Sequence, residues 1–138
     1  ITNSNVSDSF CINSSYNFNG LILSAAGNYT DTIQNSNGCD SIIYLSLSSM
    51  ALPGISINDE SICEGESATL TPSGALSYQW SPTLPQEING SLIVFPTTSS
   101  TYQVIGTNQN GCASQPENVI VTVYPNPTAN FYFSPSTI

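Results

Sequence analysis

The sequence predicts an all-β chain of tandem small β modules, a disulfide-stapled β-meander followed by a larger β-sandwich. Three observations predict it. The stretch Asn35-Ser36-Asn37-Gly38-Cys39-Asp40-Ser41 recurs as Asn108-Gln109-Asn110-Gly111-Cys112-Ala113-Ser114, with Tyr29 or Tyr102 ten residues ahead of the cysteine each time. An earlier Phe10-Cys11 or Ile62-Cys63 supplies a second cysteine. Short runs alternate apolar residues with Ser, Thr and Asn, the period of a half-buried strand, and no segment carries a helical period. Strand, Asn-Gly turn and cysteine recurring in one register mean two modules of related design.

Residues 1–50 form the first module. Tyr16 and Phe18 alternate on a short strand, and Asn19-Gly20 turns the chain into Leu21-Ile22-Leu23. Gly27 opens Asn28–Gln34, where Tyr29, Asp31 and Ile33 share one face and Thr30 and Thr32 the other. After the Asn37-Gly38 turn, Ile43, Leu45 and Leu47 alternate along the last strand of a meander of about four strands. Residues 51–54 are a linker punctuated by Pro53-Gly54.

The second module spans residues 55–124, with strands expected at Ile55–Ile57, Ala68–Thr71, Tyr78–Trp80, Ser91–Phe95, Thr101–Thr107 and Asn118–Tyr124. Pro72, Pro82, Pro85 and Pro96 fall at strand ends or in loops, where a missing N–H does least harm. Six or seven short strands with Trp80 on the third suggest an immunoglobulin-like sandwich. Residues 125–138 are a Pro125-Asn126-Pro127 linker and the expected first strand of a further domain, so the chain reads as an internal piece of a longer secreted protein.

Composition limits the function classes. There is no Lys, Arg or His, and nine Asp and Glu give a net charge of −9. Nucleic-acid binding, which exchanges Lys and Arg for phosphate counterions, is not expected. Anionic membrane surfaces are not expected partners either, and no apolar run is long enough for direct membrane insertion. A Ser or Cys nucleophile lacks its usual His or Lys base. Glycoside hydrolysis would need two carboxyls facing each other across a cleft of about 5–10 Å, which a small sandwich rarely encloses. The chain is expected not to be an enzyme.

A module near 50 residues has a thin core and needs a staple, and the four cysteines can supply two. The expected pairs are Cys11 with Cys39 and Cys63 with Cys112, in an oxidising extracellular setting. The second pair carries a tension. In a plain immunoglobulin layout Cys63 precedes the second strand and Cys112 follows the sixth, at opposite ends of the sandwich, whereas a disulfide needs Cα atoms within about 7 Å. No C-x-x-C spacing supports a metal reading of the cysteines.

Several runs carry a resemblance. Ser15-Tyr16-Asn17-Phe18-Asn19-Gly20, Gly27-Asn28-Tyr29-Thr30-Asp31-Thr32 and Asn37-Gly38-Cys39-Asp40-Ser41-Ile42-Ile43 together resemble a repeat of giant Bacteroidota cell-surface adhesins. Ile62–Leu70, Tyr78-Gln79-Trp80-Ser81-Pro82 and Thr101–Thr107 with Asn110-Gly111-Cys112 are similar to the Ig-like and PKD-like domains of the same proteins, and Pro127–Pro135 resembles the start of another PKD-like domain. The resemblance implies export through the type IX secretion machinery and a place in an adhesin of the gliding-motility type. It also brings an O-glycosylation pattern, Asp-Ser/Thr-aliphatic, which Asp31-Thr32-Ile33 and Asp40-Ser41-Ile42 match; Thr32 and Ser41 are therefore candidate acceptors, with ordinary strand sequence as the alternative.

Asp59, Glu60, Glu64 and Glu66 are the candidate calcium ligands, set against the reading of isolated solvated carboxylates, since no D-x-D-x-D-G loop is present. No other cofactor is expected. Tyr78, Trp80, Phe95, Tyr102 and Tyr124 could stack on sugars, while a Trp on a central strand is more often the buried pin of a sandwich. The expectation is a non-enzymatic repeat segment, stalk or adhesive region, of a large secreted adhesin at the bacterial cell surface. Its partners would be neighbouring repeats, a surface polysaccharide or another cell-surface ligand. The alternative is a carbohydrate-binding accessory module of a secreted hydrolase.

Overall fold

The structure, a computed structural model, describes residues 1–130. Twelve strands and no helix form among them. The chain divides into two compact units. Unit 1 holds Ile1–Gly54, Gly74–Ser77 and Gly106–Gln115; unit 2 holds Ile55–Ser73, Tyr78–Ile105 and the chain from Pro116 onward. The units are therefore discontinuous, unlike the expected 1–50 and 55–124 modules. The Gly106–Gln115 loop is fastened into unit 1 by Cys112, which is bonded to Cys11, and by Asn108, whose Nδ2 donates to the Ala51 carbonyl at 3.3 Å; Gly74–Ser77 joins that loop through Leu76 N–H, which donates to the Thr107 carbonyl at 2.9 Å.

In unit 1, β1 (Thr2–Cys11), β5 (Ser41–Met50) and β4 (Gly27–Ile33) form one sheet in the order β1-β5-β4. β2 (Tyr16–Phe18) and β3 (Leu21–Leu23) form a separate hairpin. Asn19 and Gly20 both take positive φ, 50° and 95°, the two-residue turn whose twist suits a hairpin. Along β5, Leu45 and Leu47 are buried while Tyr44, Ser46 and Ser48 are exposed, the period of two that the sequence displays. Leu45 and Leu47 join Phe10, Phe18 and Leu23 in a small core, with Tyr16, Tyr29 and Ile43 packed against it.

The expected meander is corrected here. β1 is a ten-residue strand that lies parallel to β5, with Thr2 opposite Ser41 and Cys11 opposite Met50. Its sequence, Thr-Asn-Ser-Asn-Val-Ser-Asp-Ser-Phe-Cys, is largely exposed and carries no apolar alternation. The backbone ladder holds it, so side-chain periodicity gave no signal.

Unit 2 packs two sheets about one core. β6 (Glu60–Cys63), β12 (Glu117–Tyr124), β11 (Ser100–Thr107) and β8 (Ser77–Ser81) form the first, in the order β6-β12-β11-β8. β7 (Ala68–Leu70), β10 (Ser91–Val94) and β9 (Glu87–Ile88) form the second, in the order β7-β10-β9. A four-stranded and a three-stranded sheet in this order make the immunoglobulin-like sandwich. Leu70, Leu92, Val104, Val119 and Val121 fill its centre with Trp80, which is 3% exposed and donates its Nε1–H to the Gly90 carbonyl at 3.0 Å. No buried side-chain N or O atom among the described residues lacks a partner.

The expected strand at Ile55–Ile57 is reduced to a single bridge between Ser56 and Ser73, with Ile55 and Ile57 packed against the core. Residues 125–130 carry no strand, and the remainder of the expected opening strand of a further domain lies outside the described residues.

Glycine substitutions at two turns test these geometries. Gly38 has φ +76° with open space where a Cβ would stand, so Gly38→Ala is expected to cost only the left-handed penalty of about 1–2 kcal/mol. Gly90 has φ +84° and a Cβ there would sit 2.7 Å from Tyr78 Cδ2, so Gly90→Ala is expected to cost distinctly more. Urea unfolding of both variants checks the order; equal losses would contradict the Tyr78 contact.

Candidate functional site

The chemically distinctive feature of the molecule is its cysteine arrangement. Cys11 and Cys112 form a disulfide across 101 residues of sequence, with Cα atoms 5.6 Å apart. Cys11 ends β1 and begins a turn in which Ser14 N–H donates to the Cys11 carbonyl at 3.0 Å. Cys112 is fully buried in a densely bonded loop. Asn108 Oδ1 accepts the N–H groups of both Asn110 and Cys112 at 3.0 Å, and the Ser114 hydroxyl accepts the Gly106 N–H at 3.0 Å. Cys39 and Cys63 are exposed thiols.

The expected pairs Cys11–Cys39 and Cys63–Cys112 are therefore not the ones formed, and strand direction is the reason. β1 runs parallel to β5, so it carries Cys11 away from the turn that holds Cys39, by roughly 30 Å at 3.3 Å per residue. β6 runs parallel to β12 and places Cys63 opposite Tyr124, the last residue of β12, whereas Cys112 precedes the first, Glu117. The tension over the ends of the sandwich was the legible signal; the length and direction of β1 were not.

Of the calcium candidates, Asp59 Oδ1 accepts the Ile120 N–H at 2.7 Å and Glu66 Oε2 accepts the Cys63 N–H at 2.9 Å. Glu60 opens β6 and Glu64 follows its last residue, and both are exposed. These four carboxylates are not gathered into a metal-holding group of three or more among the described residues. The candidate glycan acceptors lie at neighbouring ends of β4 and β5, Thr32 opposite Ile42 and Ser41 opposite Ile33. Thr32 is exposed, whereas Ser41 is half-buried with its hydroxyl 2.7 Å from that of Thr2.

Among the aromatics, Trp80 and Tyr102 are buried in unit 2 and Tyr78 packs against the same core, while Phe95 and Tyr124 are exposed. Sequence reasoning passed over Tyr44, which is 42% exposed on the outward side of β5. It borders a shallow depression of about 470 Å³ with Asn5, Ser7, Asn28, Thr30 and Ser46. A second depression of about 290 Å³ lies in unit 2 along Gln79, Ser81, Thr83, Gln103 and Ile105. Amides, hydroxyls, aromatic rings and aliphatic groups line both, and neither is lined by Asp or Glu.

Two further carboxylates outside these depressions take neutral donors. Asp31 accepts from Asn19 Nδ2 at 2.9 Å. Asp8 accepts from the Tyr16 hydroxyl at 2.7 Å and from Ser9 N–H at 2.8 Å, and these bonds, the first above all, hold its carboxyl below the usual range. The same bond is the main cause that pushes the Tyr16 phenol above its ordinary value, with burial and the Asp8 charge adding to it.

No protein-family model and no curated protein matches this chain. Among solved structures it is similar to the fibronectin(III)-like modules of CbhA from Clostridium thermocellum, at 12% identity over 83% of this chain and 71% of that one, with a TM-score of 0.42. It is also similar to extracellular domains 3–5 of Drosophila OTK, at 18% identity over 72% of this chain, with a TM-score of 0.46, where it spans only 40% of the other's length. Ig domains 1 and 2 of DIP-gamma match at 18% identity over 72% of this chain and 60% of that one, with a TM-score of 0.37.

Two measurements follow from this geometry. Non-reducing peptide mapping is expected to recover Cys11 joined to Cys112 with Cys39 and Cys63 open to alkylation; any other connectivity contradicts the parallel register. The Asp8–Tyr16 bond acts over a defined pH window. Asp8 contributes stability above its unfolded pKa that is lost as pH falls through the depressed folded value; Tyr16 contributes below its unfolded pKa and loses it as pH rises through the raised one. The bond therefore supports unit 1 between about pH 4 and pH 10. An NMR titration of the Asp8 carboxyl is expected to move up in Tyr16→Phe; an unchanged midpoint would exclude the bond.

Proposed function

We propose that the chain is a non-catalytic spacer span of an extracellular repeat array, part of a large secreted bacterial surface adhesin. The observation that carries this reading is the Cys11–Cys112 bond, which ties the first strand of the earlier sequence repeat to the Asn-Gly-Cys turn of the later one. A bond of that span protects a segment from being drawn out, because the chain between its cysteines cannot extend. The burial of Trp80 supports the same reading, since it removes the largest aromatic surface from contact with a sugar. A chain without Lys or Arg also offers no trypsin-type cleavage site, which suits exposure outside the cell.

The resemblance to giant Bacteroidota surface proteins supplies the finer part of the proposal. Export would run through the type IX machinery, the work would be surface attachment or gliding, and Thr32, the more open acceptor, would carry the glycan. A second reading has one observation in its favour. Tyr44, ringed by Asn5, Ser7, Asn28, Thr30 and Ser46, offers a stacking face with neutral hydrogen-bonding groups, the chemistry of a carbohydrate-binding accessory module.

Single-molecule stretching tests the spacer. Oxidised protein is expected to unfold with the 101-residue span locked, and reduction to add about 330–360 Å of contour length at 3.3–3.6 Å per residue. No added length would remove the mechanical reading. Retention of the chain on a neutral polysaccharide, lost in Tyr44→Ala, would put the accessory-module reading ahead.

A further inference from the structure

The two free cysteines occupy the same places in the repeat as the two bonded ones. Cys11 ends β1 opposite Met50, the last residue of β5, and Cys63 ends β6 opposite Tyr124, the last residue of β12. Beyond each cysteine the backbone makes the same turn. Ile12 N–H donates to the Met50 carbonyl and Glu64 N–H to the Tyr124 carbonyl, both at 2.9 Å. Ser14 N–H donates to the Cys11 carbonyl and Glu66 N–H to the Cys63 carbonyl, both at 3.0 Å. The residue between has positive φ each time, 66° at Asn13 and 91° at Gly65. Three residues past each paired strand end stands a proline, Pro53 or Pro127.

The other two cysteines match as well. Gly38 N–H donates to the Asn35 carbonyl and Gly111 N–H to the Asn108 carbonyl, both at 3.0 Å, with φ of 76° and 82°. Each glycine precedes a cysteine in the connection between the last two antiparallel strands of its repeat, β4 to β5 or β11 to β12. The chain thus carries two exit cysteines, Cys11 and Cys63, and two turn cysteines, Cys39 and Cys112. The bond that has formed joins the exit cysteine of the earlier repeat to the turn cysteine of the later one.

We propose that Cys63 and Cys39 are the two halves of this same staple, directed at neighbouring repeats. Cys63 bonds the turn cysteine of a following repeat and Cys39 the exit cysteine of a preceding one, so that each joint in the array is closed by one disulfide. Further copies of this chain supply the partners, one copy on each side. The inference rests on the reading of the chain as one span of a repeat array. A low-molecular-weight disulfide is the oxidant. The Cys63 thiolate attacks it, forming a mixed disulfide and releasing one small thiol; the Cys39 thiolate of the next copy attacks Cys63 Sγ and releases the second. The two protons leave the protein thiols and end on the two released small thiols.

The test uses Cys39→Ser and Cys63→Ser variants of the full chain, each keeping Cys11 and Cys112. Each variant is equilibrated alone and as a mixture in a glutathione redox buffer, quenched by alkylation, and read by non-reducing electrophoresis and peptide mapping. Each variant alone is expected to stay monomeric. The mixture is expected to shift to a covalent dimer linked by Cys63 of one variant and Cys39 of the other, and the unaltered chain to build a ladder of oligomers. The proposal is overturned if the mixture stays monomeric, if either variant dimerises alone as readily as the mixture, or if the unaltered chain closes Cys39 onto Cys63 within one molecule. Stretching the Cys39→Ser/Cys63→Ser double variant separates the two readings. If it keeps its gain in contour length on reduction, the spacer stands whatever the mixture does; if the gain is absent, the spacer itself fails.

Discussion

Parallel pairing of the first strand with the last is the constraint on which both repeats depend. β1 lies along β5 and β6 along β12, so in each case the first strand ends beside the point where the chain leaves the repeat. Parallel strands cannot be joined by a tight hairpin and need a long connection. The first repeat supplies it with the β2–β3 hairpin and β4, the second with β7 through β11. The cysteine at the end of the first strand is thereby delivered to the exit, and this placement decides which sulfur it meets. An antiparallel first strand would have left the same cysteine at the entrance.

Strands that depend on side-chain burial were legible in the sequence. The alternation of Ile43, Leu45 and Leu47, the run from Thr101 to Thr107 and the Asn19-Gly20 turn all reappear as β5, β11 and the β2–β3 hairpin. Strands held chiefly by backbone pairing, with one buried side chain in β1 (Phe10) and one in β6 (Ile62), were not. β1 is mostly Asn, Ser and Asp, β6 is four residues with two polar ones at its start, and β9 is two residues closed by the unremarked Asn89-Gly90 turn. Because the staple is positioned by β1 and β6, the cysteine pairing inherited the error. The recurrence of Asn-x-Asn-Gly-Cys was read correctly as a repeated turn, with the same hydrogen bond at Asn35–Gly38 and Asn108–Gly111. Which strand came alongside that turn was a question of direction, and amino-acid pattern does not encode direction.

The two candidate roles draw on different parts of the molecule. The spacer reading rests on covalent and backbone features, which tolerate wide variation in the Ser, Thr and Asn that cover the strands. The binding reading rests on a few outward side chains around Tyr44, supported by Leu45 and Leu47 on the opposite side of the same strand. Both can occupy one sheet, because alternation along β5 separates the core-facing residues from the outward ones.

Four of the nine carboxylates of this chain are held by neutral donors: Asp8 by a phenol, Asp31 by an amide, Asp59 and Glu66 by backbone N–H groups. Each bond leaves its negative charge in place, and no cationic side chain offsets it. The charge–charge interactions among side chains are then purely repulsive. Dissolved ions shorten the range of such repulsion from about 10 Å at 0.1 M to about 3 Å at 1 M, and there is no ion pair between side chains for them to weaken. Most folded proteins lose some attraction as salt rises. This one sheds only internal strain of charge against charge, so brine tightens it, and a dilute medium is the harsher environment.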